Sequence, residues 1–441
     1  MPTTTPTEEQ FNNFIEFRQA AYQCLGKARD AQFELTDAVL VTPTAQSFVE
    51  LALAPIFRRR WSSVYEALQD GTPDRLGLLR LYAAQIPSEP RPLLAGDHTA
   101  WPRLTAPTLR DRTIEHQPTR ISGQLPITIG QGYSTLAWLP ASTVKTSWAL
   151  PLLHERIASS ESPIGKAVAQ LRQVTAQLPT RPVSLWDAEY GTAPFVNASA
   201  DIPADKLFRL RPNLCLRGAP PPYSGRGRRP QHGAKFKLAD ASTWGTPEAT
   251  LEILDEELGP VRLSLWRELH FAKSPVHPML VLRLERLQAR GTRRDPKVLW
   301  MAWVGQEPPP LGEWWRLYLR RFAIDHWYRL AKQRLHWVLP RVSTPEQAER
   351  WSDLLPLVTW ELWLARRLVA DKPHPWQKRQ ALLTPGRVAQ GIGGVLAVIG
   401  TPAQAPKPRG KAPGWPRGRP RKHRERLEVV RKRPNAKKRV A

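Results

Sequence analysis

Leu93-Leu94-Ala95-Gly96-Asp97 and Val183-Ser184-Leu185-Trp186-Asp187 carry the reading of the fold. Each is a short apolar run that closes on an acid. Runs of this length, bounded by turn residues, read as buried strands. Between them, residues 127–138 and 148–153 read as strands and residues 164–178 as a helix. Residues 207–210 add another strand. Strands, a helix and then strands describe an α/β core.

The pattern changes on both sides of this core. Upstream, Thr7 with Gln10 fits a capping box, and Phe11, Phe14, Ile15, Tyr22 and Leu25 recur at helical spacing. Further helices are expected over 47–68, which carries Arg58-Arg59-Arg60-Trp61, and over 76–86. A small basic helical unit suits sequence-specific DNA recognition, and equally a packing domain with solvated arginines. Downstream, Val261, Leu263 and Leu265, then Leu280, Leu282 and Leu284, alternate with other residues. Such alternation marks antiparallel strands with one buried face. Residues 212–305 therefore read as a β-rich insertion. Helical patterns resume near Leu311 and run again over 347–369.

Composition bounds the function. The chain has 441 residues, room for roughly three domains. Its formal net charge is +26, which favours a polyanionic partner. A hydrophobic fraction of 41% excludes global disorder. No apolar stretch is long enough to span a membrane, and MPTTTPTEEQ has no basic or apolar signal region. The two cysteines, Cys24 and Cys215, are too few for a zinc finger, an iron–sulfur cluster or a disulfide scaffold. A cytoplasmic, nucleoid-associated location is expected. No Gly-x-Ser-x-Gly elbow and no Gly-x-x-x-x-Gly-Lys-Ser/Thr loop occurs. Much of the charge sits in residues 401–441, where 15 Lys and Arg face two Glu. That stretch reads as a disordered basic tail. Within it, Pro416-Arg417-Gly418-Arg419-Pro420-Arg421-Lys422 resembles an AT-hook, whose Arg417 and Arg419 would enter a minor groove. A second basic stretch, Gly225-Arg226-Gly227-Arg228-Arg229-Pro230, reads as a surface excursion.

Asp97 and Asp187 each end an apolar strand, and strand-end acids can converge at one sheet edge. Converging carboxylates bind hard divalent cations. A third acid lies in Trp314–Lys332, which reads as one helix. At about 100° per residue, Tyr318, Arg321, Asp325 and Lys332 fall within roughly 60° of one another. Leu319, Ala323, Trp327, Leu330 and Ala331 take the packing side. On this reading one face buries and the other presents an acid among cations and a phenol.

The spacing of Tyr318, Arg321, Asp325 and Lys332 resembles the Tyr–Arg–Glu–Lys signature of cut-and-paste DDE transposases from bacterial insertion sequences. Ala95-Gly96-Asp97-His98-Thr99 resembles that family's first-Asp strand, and Asp187-Ala188-Glu189-Tyr190-Gly191 its second. A β-rich insertion between the second Asp and the third acid belongs to the same group. The chain departs from the family at Asp325, where Glu is usual. Asp is one methylene shorter but keeps a hard oxygen ligand.

The resemblance implies an RNase H-like core interrupted by a β insertion, in which Asp97, Asp187 and Asp325 hold two Mg²⁺ or Mn²⁺ ions. Tyr318, Arg321 and Lys332 would meet DNA phosphates, as would Arg58, Arg59 and Arg60 of the helical unit. It implies cleavage of double-stranded DNA at terminal inverted repeats and transfer of 3′-hydroxyls into target DNA by a homodimer. The expected division is 1–88 helical and end-binding, 89–211 core, 212–305 insertion, 306–400 core with C-terminal helices, and 401–441 tail. Two other readings remain. One is a degenerate or repurposed transposase that binds DNA without cutting it. The other is a structure- or RNA-specific nuclease on the same core. Glu189 reads as a solvated residue after the strand rather than as an auxiliary acid, and His98 as a structural hydrogen-bonder.

Overall fold

A computed structural model describes residues 7–116, 126–141, 148–256, 258–291, 296–408, 414, 418, 420 and 423–432. The chain opens with helices α1 (Glu8–Cys24), α2 (Arg29–Val41), α3 (Phe48–Leu51), α4 (Ser62–Asp70) and α5 (Arg75–Ala83). The Thr7–Gln10 capping box is present at the start of α1. The single helix expected over 47–68 is instead split into α3 and α4. Pro55 falls in the break, and proline disfavours a helix interior. The break also turns Arg58 and Arg59 towards the buried Glu34 of α2.

The core then follows: β1 (Leu93–Pro102), β2 (Thr113–His116), β3 (Ile127–Trp138), β4 (Leu150–Ile157), α6 (Pro163–Thr175), β5 (Val183–Trp186), α7 (Ala193–Ala198) and β6 (Asp205–Leu210). The insertion supplies β7 (Cys215–Arg217), β8 (Lys235–Lys237), β9 (Ala249–Asp255), β10 (Gly259–Phe271), β11 (Met279–Arg286) and β12 (Val298–Val304). Helices α8 (Trp314–Leu319), α9 (Ala323–Gln333), α10 (Pro345–Ala365) and α11 (Pro385–Ile399) complete the order. The helix read as unbroken over 314–332 passes through a 3₁₀ turn, Arg320–Phe322, between α8 and α9.

The strands form one sheet in the order β2-β3-β1-β5-β6-β12-β11-β10-β7-β8, with β4 on β3 and β9 on β10. β1 pairs antiparallel with β3 and parallel with β5, and β5 pairs parallel with β6. This is the mixed α/β arrangement of an RNase H-like core interrupted by a β-rich insertion. β12 returns antiparallel beside β6, so the insertion extends the core sheet instead of standing apart from it. Its one-sided packing is supplied by Phe236, Trp244, Trp266 and Trp300, with the Arg283 guanidinium 5.1 Å from the Trp244 ring centroid.

Aromatic packing carries much of the rest. Tyr82, Trp360 and Trp138 stack nearly parallel, at 5.6 Å and 5.9 Å, and bind α5, α10 and β3 together. Trp314, Trp315 and Trp327 are all buried, which makes them core rather than exposed stacking platforms.

A buried charge network ties the N-terminal helices to α10. Arg18 of α1 donates to Asp37 of α2 and to Glu361 of α10, and all three are at most 2% exposed. Burial pushes Glu361 up to about 7 and lifts Asp37 above its ordinary range, while Arg18 opposes both. The basic tail also meets the body. The carbonyls of Ala403 and Gln404 accept from Arg58 and Arg59, and Leu427 and Val430 donate to the carbonyls of Pro107 and Arg112. Arg417 and Arg419 lie outside the described residues.

Removing Arg18 leaves two buried carboxylates without their cation, a loss of about 3–5 kcal/mol. Urea denaturation of Arg18→Met is expected to show that loss at pH 7.5 and a smaller one at pH 5. Without Arg18 the folded Asp37 and Glu361 hold protons that the unfolded carboxylates have released. The deficit therefore shrinks as pH falls.

Candidate active site

The two strand-end acids meet because β1 and β5 are parallel and in register. Gly96 lies opposite Trp186, and Trp186 opposite Phe208 of β6. The next residues, Asp97, Asp187 and Arg209, are therefore level at the carboxyl edge of three adjacent strands. Gly96 is dictated by this packing. A Cβ there would sit 1.9 Å from the Trp186 ring, so only glycine lets the indole lie across β1.

Each acid is fixed locally. Asp97 Oδ1 accepts from the backbone N–H of His98 at 2.8 Å, and Asp187 Oδ1 from that of Glu189 at 2.8 Å. The Tyr328 hydroxyl lies 3.0 Å from the Asp97 carbonyl oxygen and 2.9 Å from Thr135 Oγ1 on β3. It pins α9 to β1 and β3.

The third acid arrives on α9. Arg321, in the turn that precedes α9, is 8% exposed in its side chain. One terminal nitrogen of its guanidinium is 3.2 Å from Asp97 Oδ2, and the other is 3.6 Å from Asp325 Oδ2. Arg321 Nε is buried without a hydrogen-bond partner among the described residues. Asp325 itself is 47% exposed in its side chain and faces solvent on its outer side.

Electrostatics ties the group together. Burial pushes the Asp97 carboxyl up to about 6, Arg321 pulls it down, and the charges of Asp187 and Asp325 push it up again. Burial also raises Asp325; Arg321 opposes that rise and Asp187 adds to it. Burial alone would lower Arg321, but Asp97, Tyr318 and Asp325 hold it above its ordinary value. Lys332 donates to Thr99 Oγ1 at 2.7 Å, and burial brings its ammonium down to about 8.

Of the residues singled out by spacing, Asp97, Asp187, Tyr318, Arg321, Asp325 and Lys332 come to this one edge. The expected solvent-facing polar side of the helix is mostly packed. Tyr318 is 3% exposed, its hydroxyl raised by burial and lowered by Arg321 and Arg209. Arg58 and Arg59 have internal uses instead. Arg58 pairs with Glu34 at 2.7 Å, and Arg59 sits between Asp30 and Glu34. Arg60 is exposed. His98 keeps a structural place, with Nδ1 3.1 Å from the Tyr190 hydroxyl and Nε2 3.4 Å from Glu189. Arg209 and Tyr328 were not singled out as site residues. The strand register would have found Arg209, since a cation interrupts the apolar run Leu207–Leu210.

The donor set suits a hard divalent cation, because all three acids offer carboxylate oxygens. Among the described residues, however, no three His, Cys, Asp or Glu side chains already form a ligand cluster. The Arg321 guanidinium stands where positive charge is needed between Asp97 and Asp325. It is the cation that these two acids share.

A family model described as DDE superfamily endonuclease matches residues 20–270. The chain belongs to this superfamily. The match takes in Asp97 and Asp187 and ends before Asp325. A search of curated proteins finds no match. Members of this superfamily are nucleases that act on DNA and generally use divalent metals. Among the described residues no helix is long and apolar enough to cross a membrane.

Lys332 offers a direct probe of the site without metal. Its folded pKa is lowered, so its charge is lost as pH rises through about 8. Metal-free DNA affinity, followed by fluorescence anisotropy, is expected to fall between pH 7 and 9. Lys332→Arg, which stays charged, is expected to flatten that fall.

Proposed function

We propose that the chain is a DDE transposase that cuts the ends of its own element and joins the freed 3′-hydroxyls to target DNA. The carrying observation is the convergence of Asp97, Asp187 and Asp325, distant in sequence, around the Arg321 guanidinium. In this reading the three acids hold two Mg²⁺ or Mn²⁺ ions. Bound there, the ions would activate a water and then a 3′-hydroxyl, and stabilise the leaving oxygen.

The protein's own residues do the positioning. Arg321 neutralises Asp97 and Asp325 until DNA arrives, then turns to a phosphate of the scissile strand. Lys332, anchored on Thr99, adds a second cation beside that strand. Tyr318 backs the Arg321 guanidinium, whose central carbon is 6.0 Å from its ring centroid. The helices of 1–88 would bind the element end, and 401–441 would add non-specific affinity for duplex DNA. The core would be split between 89–211 and 306–400 around the 212–305 insertion. Cleavage of two ends calls for two copies of the chain on DNA, acting in the cytoplasm at the nucleoid.

One observation favours a second reading, a repurposed transposase that binds DNA without cutting. Asp325 is short for its position, and Arg321 fills the space between it and Asp97.

Purified protein is to be incubated with DNA carrying the gene's own flanks, with Mg²⁺ or Mn²⁺, beside Asp187→Asn. Metal-dependent cuts at the element boundaries are expected, and at least a thousandfold loss in the variant. Binding to those ends with no cleavage would overturn the enzymatic reading and favour the second one.

A further inference from the structure

The basic stretch at 225–230 has no part in the site above, yet its construction is specific. Between Asp205 and Asp240 the sequence holds nine Lys and Arg and no carboxylate. The chain leaves β6 at Leu210, on the edge that carries Asp97 and Asp187, and enters β7 at Cys215. Four residues lie between these points, so five Cα–Cα steps join them. The start of β7, three residues before the loop's neck at Gly218, is therefore no more than roughly 17 Å from that edge.

From β7 the chain rises into a loop closed at its neck. Gly218 N–H donates to the Ala234 carbonyl at 3.0 Å, and Gly233 N–H to the Gly218 carbonyl at 2.9 Å. His232 Nδ1, 3.0 Å from His270 Nε2, fixes the returning strand to β10. Pro220, Pro221 and Pro222 stiffen the ascending limb. The Tyr223 hydroxyl donates to the Gly227 carbonyl at 3.0 Å and holds the tip in a turn. Gly225 and Gly227 have φ of 83° and 75°, and nothing lies within 4 Å of where a Cβ would be. Arg226, Arg228 and Arg229 are all exposed. The result is a stiff stalk with a narrow tip that carries three cations and no carboxylate.

We infer that the loop Ala219–His232 is a DNA-gripping finger. Arg226, Arg228 and Arg229 contact the phosphates of duplex DNA that runs past the carboxyl edge of β1, β5 and β6. Arg209 and Arg211 continue the same positive track from the acids towards the finger's root. The track neutralises duplex on one side of the cleavage point and so sets its direction across the site. The inference rests on the DNA-cleaving reading above. Its test needs no cleavage, so the two can fail separately.

The full chain is to be titrated onto labelled duplex DNA by fluorescence anisotropy, without metal, over 50–300 mM salt. The wild type is compared with the triple variant Arg226→Gln, Arg228→Gln, Arg229→Gln. A second triple variant, Lys372→Gln, Lys378→Gln, Arg379→Gln, changes net charge equally elsewhere on the exposed surface. Each lost phosphate contact lowers the slope of log affinity against log salt by about 0.9. The finger variant is expected to lose about 2.7 from the slope and at least about tenfold in affinity at 150 mM salt, with the control near wild type. An unchanged slope in the finger variant, or an equal loss in the control, would overturn the finger and leave the nuclease reading standing. No duplex binding by the wild type would overturn both. Melting curves of the three proteins are expected to coincide, since Arg226, Arg228 and Arg229 are all exposed.

Discussion

Three like charges, Asp97, Asp187 and Asp325, are gathered at one sheet edge, and the Arg321 guanidinium makes that possible. Asp97 is buried and shares an edge with Asp187 and Asp325, so burial and repulsion both work against its charge. A guanidinium at 3.2 Å offsets them. Much of the surrounding structure serves that contact. Gly96 lets Trp186 cross β1, which sets the β1–β5 register. Tyr328 ties α9 to the Asp97 carbonyl oxygen. The 3₁₀ turn between α8 and α9 points Arg321 inward while leaving Asp325 partly in solvent. Bidentate geometry and permanent charge suit arginine to this place, and a lysine would not span both acids.

The arginines of the described residues fall into two sets. One set of arginines is structural. Arg18 joins three helices through Asp37 and Glu361, and Arg58 and Arg59 clamp the segment after α11 onto α2. Arg334 donates to the carbonyls of Val39, Leu40, Thr42 and Ala389, fastening the segment after α9 to the N-terminal helices. Arginine suits such work because its five donors satisfy several carbonyls at once. Among the described residues, the other set is exposed: Arg226, Arg228 and Arg229 in the acid-free span after β6, and Arg424 and Arg426 in the tail. Net charge alone does not separate the two sets, because only burial and partners distinguish a staple from a contact.

The same distinction explains what could be read from the sequence. The β1 and β5 acids were legible because short apolar runs ending in Asp have few other solutions in an α/β core. Tyr318, Arg321, Asp325 and Lys332 were legible as one group because their spacing puts them on one helical face, although the structure spreads them over α8, the 3₁₀ turn and α9. The insertion was legible as alternation, but its merger with the core sheet was not, since the β12–β6 pairing is a long-range contact without a local signal. The α3–α4 break was missed because apolar spacing runs through Pro55 on both sides. Arg58 and Arg59 looked like surface cations because their partner, Glu34, lies on a helix, α2, that the spacing did not reveal. Arg209 required the register of three strands at once.

In the proposed function, Asp97, Asp187 and Asp325 form one metal-holding site that Arg321 occupies until metal and DNA replace it. Anomalous diffraction at the manganese edge, from crystals of the protein with duplex DNA and Mn²⁺, tests it most directly. The expected result is a manganese peak within coordination distance of Asp97 and Asp187, with the Arg321 guanidinium withdrawn from Asp97 to a phosphate. DNA bound across the edge with no manganese there, and Arg321 still between Asp97 and Asp325, would contradict it.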